Sequence, residues 1–184
     1  SRSSAASDVY KRQIFNIMYA FFMRSIITYF LLLGTLFADE HILEQENFDA
    51  WQFTCVEEQE QKICDLRELV FDPNTEEVVS YFSISINPEN LTQMQIAFPH
   101  AVNLKSPVSL QIDDKDPLEL NYAYCNQSAC FIAEIIGENF VNFFKAGNQV
   151  IIKILLLDNR EATITYSLSG FTAGYNKLSS SVIN

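Results

Sequence analysis

The stretch VVSYFSISINPENLTQMQIAF, residues 78–98, decides the fold class. Its first nine residues are dense in β-branched and aromatic side chains, the types that suit a pleated, half-buried surface. NPEN (Asn87 to Asn90) then interrupts the run with a proline and two asparagines, as a turn does. TQMQIAF resumes it until Pro99. Two short apolar runs around a polar break predict neighbouring strands.

The same grammar extends in both directions. AWQFTCV places Trp51, Phe53 and Cys55 on one face with a period of two. KICDLRELVF has Ile63, Leu66, Leu69 and Val70 at mixed spacing and reads as a strand ended by the turn DPNTEE. Downstream, VSLQID follows Pro107, DDKD is a polar turn, and LELNYAYC alternates through Leu118, Leu120, Tyr122 and Tyr124 as one strand. CFIAEII follows, and QVIIKILLL and ATITYSL flank the turn DNRE as a hairpin. ENFVNFFKAGN differs: Phe140, Phe143 and Phe144 recur at helical spacing, and Gly147 stands at the C-cap position. GFTAGYNKL reads as one closing helical turn, followed by a frayed tail over 179–184. Many short strands separated by Pro, Asn and Asp turns predict an all-β sandwich with one short helix.

The N-terminal part reads as processing signal rather than structure. SSAASDVYKRQ (Ser3 to Gln13) has no apolar periodicity and resembles a sequencing adapter translated in one open frame, so residues 1–17 are taken as a leader foreign to the protein. From Met18 or Met23 onward, Arg24, the apolar run Ile26 to Leu33 and the small Ala38 before Asp39 form a secretory signal peptide over 18–38. Ile26 to Ala38 is too short for a spanning helix, which needs about 20 residues. Residues 39–49 are expected to be a loose lead-in and residues 50–178 the folded domain. The part after Ala38 carries 8 basic and 22 acidic residues, a net charge of −14. That balance disfavours nucleic acid and anionic lipid as partners.

Cys55, Cys64, Cys125 and Cys130 all lie in the exported part. Each close pair brackets a short hairpin-like stretch, so Cys55–Cys64 and Cys125–Cys130 are the expected disulfides. A zinc site would show tighter C-x2-C spacing, and a redox-active pair would be C-x-x-C; CNQSAC is neither.

Little else points to chemistry. The two histidines are His41, in the lead-in, and His100, after Pro99. No H-E-x-x-H, G-x-S-x-G or glycine-rich phosphate loop occurs, and no cofactor is implied. Asp113, Asp114 and Asp116 offer oxygens to a calcium ion, but Lys115 interrupts them and the glycine of an EF-hand loop is missing. A solvated hairpin turn is the better reading. Phe140, Phe143, Phe144, Phe171 and Tyr175 are read as core rather than as a patch for a partner.

FPHAVNLKSPVSLQID (98–113), LNYAYCNQSACFIAEI (120–135) and SLSGFTAGYNKL (167–178) occur in that order behind WQFTC (51–55) and Cys64. Together they resemble the invasion-associated locus B family of exported bacterial proteins. The carrying residues are Trp51, the turn Phe98–Pro99, Tyr122 before its cysteine pair, and the closing Gly170, Phe171 and Tyr175. The chain departs from the family's pattern at Ala129 and Gly174, where glycine and alanine are usual. The resemblance implies an immunoglobulin-like β-sandwich, exported to the periplasm or secreted by Gram-negative cells, and brings no catalytic residues. The expected protein is therefore a disulfide-stapled, non-enzymatic module without a stable membrane span. It would serve an unidentified protein or envelope partner. The alternative is a small-molecule or calcium-binding periplasmic protein using the Asp113 to Asp116 turn.

Overall fold

The computed structural model describes residues 41–58 and 61–181. The leader and signal peptide expected from the sequence lie outside the described residues. Eleven strands form two antiparallel sheets, accompanied by two helices, one between β9 and β10 and one after the last strand. The strands are β1 (His41–Phe48), β2 (Trp51–Glu58), β3 (Gln61–Phe71), β4 (Val78–Ile86), β5 (Thr92–Phe98), β6 (Val108–Ile112), β7 (Leu118–Leu120), β8 (Tyr124–Cys125), β9 (Cys130–Ile136), β10 (Gln149–Leu155) and β11 (Glu161–Ser167). Helix α1 spans Glu138–Ala146 and α2 spans Phe171–Ser181. The larger sheet has the order β1-β2-β3-β4-β5-β9-β8, a meander of consecutive hairpins completed by the β8–β9 pair. The smaller has the order β11-β10-β6-β7.

The core lies between the sheets. Trp51, Phe53, Leu66, Phe82, Ile84, Met94 and Ile96 face inward from the large sheet, against Val108, Leu110, Val150, Ile152 and Tyr166 of the small one. The period-two pattern of β2, β4, β5 and β6 is what buries these side chains and leaves their neighbours out. Each large apolar side chain so buried stabilises the fold by about 1.5–3 kcal/mol. Both expected disulfides are present: Cys55–Cys64 across β2 and β3, and Cys125–Cys130 across β8 and β9. Each joins residues that stand directly opposite in the ladder.

Three elements differ from the sequence expectation. The loose lead-in over 39–49 contains strand β1, paired with β2 from His41 to Phe48. Its inward positions Glu44 and Glu46 carry charge instead of apolar groups, and both carboxylates bond Lys177 of α2. An edge strand with inward charges shows no hydrophobic alternation and resists further edge pairing. LELNYAYC is not one strand: β7 belongs to the small sheet and β8 to the large one, with Asn121 to Ala123 crossing between them. The closing turn is a full helix of 11 residues that takes in Ser179 to Ser181 of the expected tail and packs on β1 to β4.

Two glycines show why the chain closes as it does. Gly170 has φ of +85°, and a Cβ there would stand 2.0 Å from the Phe48 carbonyl oxygen, so only glycine lets β11 turn into α2 at this point. Gly147 does end α1, but in extended backbone, so the reason for glycine is packing. A Cβ would meet Ile112 Cγ2 at 2.8 Å and Leu168 Cδ1 at 2.9 Å.

Candidate functional site

The residues that the sequence singles out separate into an inner and an outer group. Trp51 is buried, with its indole Nε1 donating to the Ser167 carbonyl at 2.8 Å. Its ring meets Phe82 at 5.5 Å and Phe171 at 5.0 Å, and Phe171 in turn meets Phe144 and Tyr175. Trp51, Phe171 and Tyr175 thus form one aromatic cluster over which α2 closes. Of the five aromatics read as core, Phe144, Phe171 and Tyr175 are buried and Phe140 is partly buried, while Phe143 is 45% exposed. Phe98 and Tyr122 pair edge-to-face at 5.9 Å, with Pro99 exposed in the turn beside them. Burial pushes the Tyr122 hydroxyl up to about 12, and it has no hydrogen-bond partner among the described residues.

The acidic turn is used structurally. The Asp113 carboxylate accepts from the backbone N–H of Asn148 at 3.1 Å and of Gln149 at 3.0 Å, fixing the start of β10. No group of three His, Cys, Asp or Glu side chains gathers in a metal-binding arrangement among the described residues. His100 Nε2 lies 2.8 Å from the Asn126 carbonyl oxygen in the β8–β9 turn.

One buried acid stands out. Glu68 points inward from β3 and is 9% exposed. Its Oε1 accepts from the Ser167 N–H at 3.0 Å, and its Oε2 has no partner among the described residues. Desolvation drives its carboxyl up to about 7, against the pull of the Ser167 hydrogen bond. Ser167 therefore receives a large-sheet contact on each backbone group, Glu68 on its N–H and Trp51 on its carbonyl.

The other face of the large sheet is where side chains of mixed chemistry are left open. Because side chains alternate, the residues between the core positions project outward in rows that cross the strands. Gln52, Arg67, Ser83, Gln95 and Ala133 form one row across β2, β3, β4, β5 and β9. Thr54, Asp65, Ser85, Gln93 and Ile135 form the next. All of these except Ile135, together with the apolar Ile42, Val56, Ile63 and Leu69, line a groove of about 630 Å³. Its floor is low because Ser83, Ser85 and Ala133 are small, and longer side chains rise at its sides.

A connected set of contacts orders one end of this groove. Arg67 Nε donates to Asp65 Oδ2 at 2.9 Å, and the guanidinium lies 5.0 Å from the Tyr81 ring centroid. The Tyr81 hydroxyl donates to Gln95 Oε1 at 3.3 Å, while Gln95 Nε2 donates to the Tyr124 hydroxyl at 2.6 Å. Tyr124 stacks on Phe131 with centroids 4.8 Å apart and planes 22° apart, and remains 48% exposed. Partial burial raises the Tyr81 hydroxyl above its ordinary value, with the Arg67 charge acting against that shift. Cys125–Cys130 follows Tyr124 directly and staples the hairpin that carries it.

Sequence reasoning did not single out Arg67, Tyr81 or Gln95, and it noted Tyr124 only as part of an alternating strand. The available signal was the outward register of β3 and β4. There, Asp65, Arg67, Ser83 and Ser85 alternate with the buried Leu66, Phe82 and Ile84.

Comparison with known proteins is consistent with this architecture. The family model described as invasion associated locus B protein matches residues 51–179. Invasion protein B of Bartonella bacilliformis is 26% identical over 140 residues, covering 73% of this chain and 74% of that protein. The crystal structure of invasion associated protein B from Bartonella henselae superimposes with a TM-score of 0.66 at 20% identity. The superposition covers 74% of this chain and 95% of that one, a likeness of fold.

Proposed function

The chain belongs to the invasion associated locus B family, and from that premise we propose that it is an exported, non-enzymatic module that engages a partner through the outer face of its seven-stranded sheet. The observation that carries this reading is the groove itself: an open sheet face on which Arg67, Tyr81, Gln95 and Tyr124 hold one another in place. Side chains fixed in advance lower the ordering cost of binding. One feature supports action outside the cytoplasm: all four cysteines are in disulfides, which persist in oxidising compartments. The reading as a binding module is supported by the scattering of reactive groups. The cysteines are oxidised, and the Asp113 carboxylate is occupied by backbone N–H groups.

The test is a photo-crosslinker placed at Gln93, on the groove, and at Thr163, on the small sheet, in protein expressed in a Gram-negative host. Adducts at Gln93 that disappear in the groove-filling variant Ser85→Arg, with none at Thr163, are the expected result. Equal adducts at both positions, or adducts indifferent to Ser85→Arg, overturn the assignment of the face. Intact mass of the periplasmic fraction after alkylation should show no alkylated cysteine; four alkylated thiols there would overturn export in an oxidised form.

A further inference from the structure

We propose that the open edge of β9 takes up an extended polypeptide segment of another protein as an added strand, with a basic side chain of that segment set against Glu134. The inference rests on the reading of this sheet as the interaction surface and names the chemistry of its partner.

The opening arises where the chain changes sheets. β5 pairs with β9 along its whole length, from Phe98 opposite Cys130 to Thr92 opposite Ile136. On the other side β8 pairs only with Cys130 and Phe131, because Asn121 to Ala123 bring the chain over from the small sheet. The Cys125–Cys130 disulfide pins that short pair. The Phe131 carbonyl accepts from the Ala123 N–H at 2.7 Å. Backbone groups alternate in direction along a strand, so the N–H and C=O of Ala133 and Ile135 turn to the same edge. No strand pairs with them there among the described residues. The open stretch, Ile132 to Ile136, runs for about 17 Å. Another extended backbone is the ligand that supplies donors and acceptors at that repeat.

Side chains favour this edge over the others. Ala133 and Ile135 project to the outer face, in the rows of Gln95 and Gln93. Ile135 is 53% exposed, and the half-exposed Tyr124 stands at the β8 end. Apolar side chains at alternate positions of an added strand would lie beside them. At the far edge, β1 is broken by a register shift between Ile42 and Glu44, and its Glu44 and Glu46 are held by Lys177. On β11 the backbone groups of Ser167 are already bonded by Glu68 and Trp51, and the strand has no large exposed apolar side chain.

Charge selects the occupant. Glu134 stands opposite the buried Met94 and so on the inner face, yet at this edge it is exposed. A second copy of the chain is the first competitor. An antiparallel contact between two β9 strands that used the whole open stretch would set Ala133 against Ile135 and Glu134 against Glu134. Like charges directly opposite are destabilising. Sliding the copy by two residues runs it either into β8 or past the end of β9 at Gly137. A foreign segment with Lys or Arg at its centre meets the same carboxylate with the opposite sign.

The experiment titrates the full oxidised chain, followed by amide NMR, with the peptide acetyl-Thr-Val-Lys-Val-Thr-amide, with the same peptide carrying Glu at its centre, and with a form N-methylated at both valines. The expected result is saturable shifts centred on residues 132–136 with the Lys peptide, at least threefold weaker binding of the Glu peptide, and none of the methylated one. Glu134→Lys should reverse the preference between the first two. Ile135→Pro, which removes one outward N–H, should weaken binding at least tenfold. Glu134→Lys changes an exposed side chain and keeps the fold, so the test holds even where the proline variant does not fold. The proposal is overturned if no peptide shifts the edge, if the methylated peptide binds as well as its parent, or if Glu134→Lys leaves the preference unchanged. It is also overturned if the chain alone sediments as a dimer whose β9 amides are protected from exchange. Where the edge fails while Gln93 crosslinks remain sensitive to Ser85→Arg, this proposal falls and the interaction face stands; where Gln93 gives no more adducts than Thr163, both fall.

Discussion

Leu66 and Glu68 point from β3 into the molecule; Asp65 and Arg67, each one residue away, point out. The inward pair is committed. Leu66 is fully buried, and Glu68 holds the backbone of β11. The outward pair closes on itself and on Tyr81, with the Arg67 side chain 46% exposed. One strand thus serves two constraints that share no side chain. Inner positions are fixed by packing density, where a change of one methylene is felt. Outer positions are free of that constraint, so under the proposed function their chemistry is where a partner would be read.

The contrast is largest between two aromatic rings. Phe171 sits within 5.0 Å of Trp51 and 5.6 Å of Phe144, centroid to centroid. Phe171→Ala should cost about 3–5 kcal/mol, the range for truncating a buried phenylalanine. Tyr124→Ala removes a half-exposed ring with one stacking partner and should cost about 1 kcal/mol. Urea denaturation of both variants measures the difference, and equal costs would break the comparison of faces.

Next in size is a pH effect confined to the inner face. Because the folded Glu68 carboxyl titrates near 7, the folded chain keeps a proton that the unfolded chain has released between about pH 4.5 and 7. Stability therefore falls as pH rises through that window and is level above it, with a total loss of about 2–3 kcal/mol from this group. Glu68→Gln keeps an acceptor for the Ser167 N–H and removes the buried charge. It should be more stable than the parent at pH 8 and lose the slope between pH 5 and 7. An unchanged slope would place the titrating group elsewhere.

The sequence made the strands of the inner face legible and left the rest dark for definable reasons. Alternation works where one face is apolar, as in β2 and β4, and there the expected strands and both disulfides are found. It fails for β1, whose inward positions are the carboxylates that meet Lys177. It fails for α2, whose buried side is broken by Gly174. It joins β7 to β8 because a period of two carries no information about which sheet a strand enters. The groove was invisible for the same reason: its residues are only the polar half of an alternation, and their convergence depends on strand order. Gly174 itself explains a departure from the family's pattern. A Cβ there would come 2.4 Å from Leu66 Cδ1, so Gly174→Ala should cost about 1–3 kcal/mol by overpacking. Combining it with Leu66→Val should recover at least 0.5 kcal/mol relative to additivity, the order of coupling found between touching residues. Strict additivity in the same denaturation series would mean that Leu66 moves aside freely.

The smallest expected effect bears most directly on the outer face. Arg67→Gln breaks a pair between partly exposed groups, and such pairs contribute about 0–1 kcal/mol. Its melting curve should therefore lie close to that of the parent. The consequence is electrostatic: the groove loses the positive charge of Arg67. A neutral ligand should bind the parent with an affinity that changes less than twofold between low and high salt, since no net charge is available for screening. An anionic partner would weaken steeply over the same range in the parent and would scarcely bind Arg67→Gln. Measuring salt dependence on both proteins thus separates a face that recognises hydroxyl and amide groups from one that recognises charge, while stability stays constant.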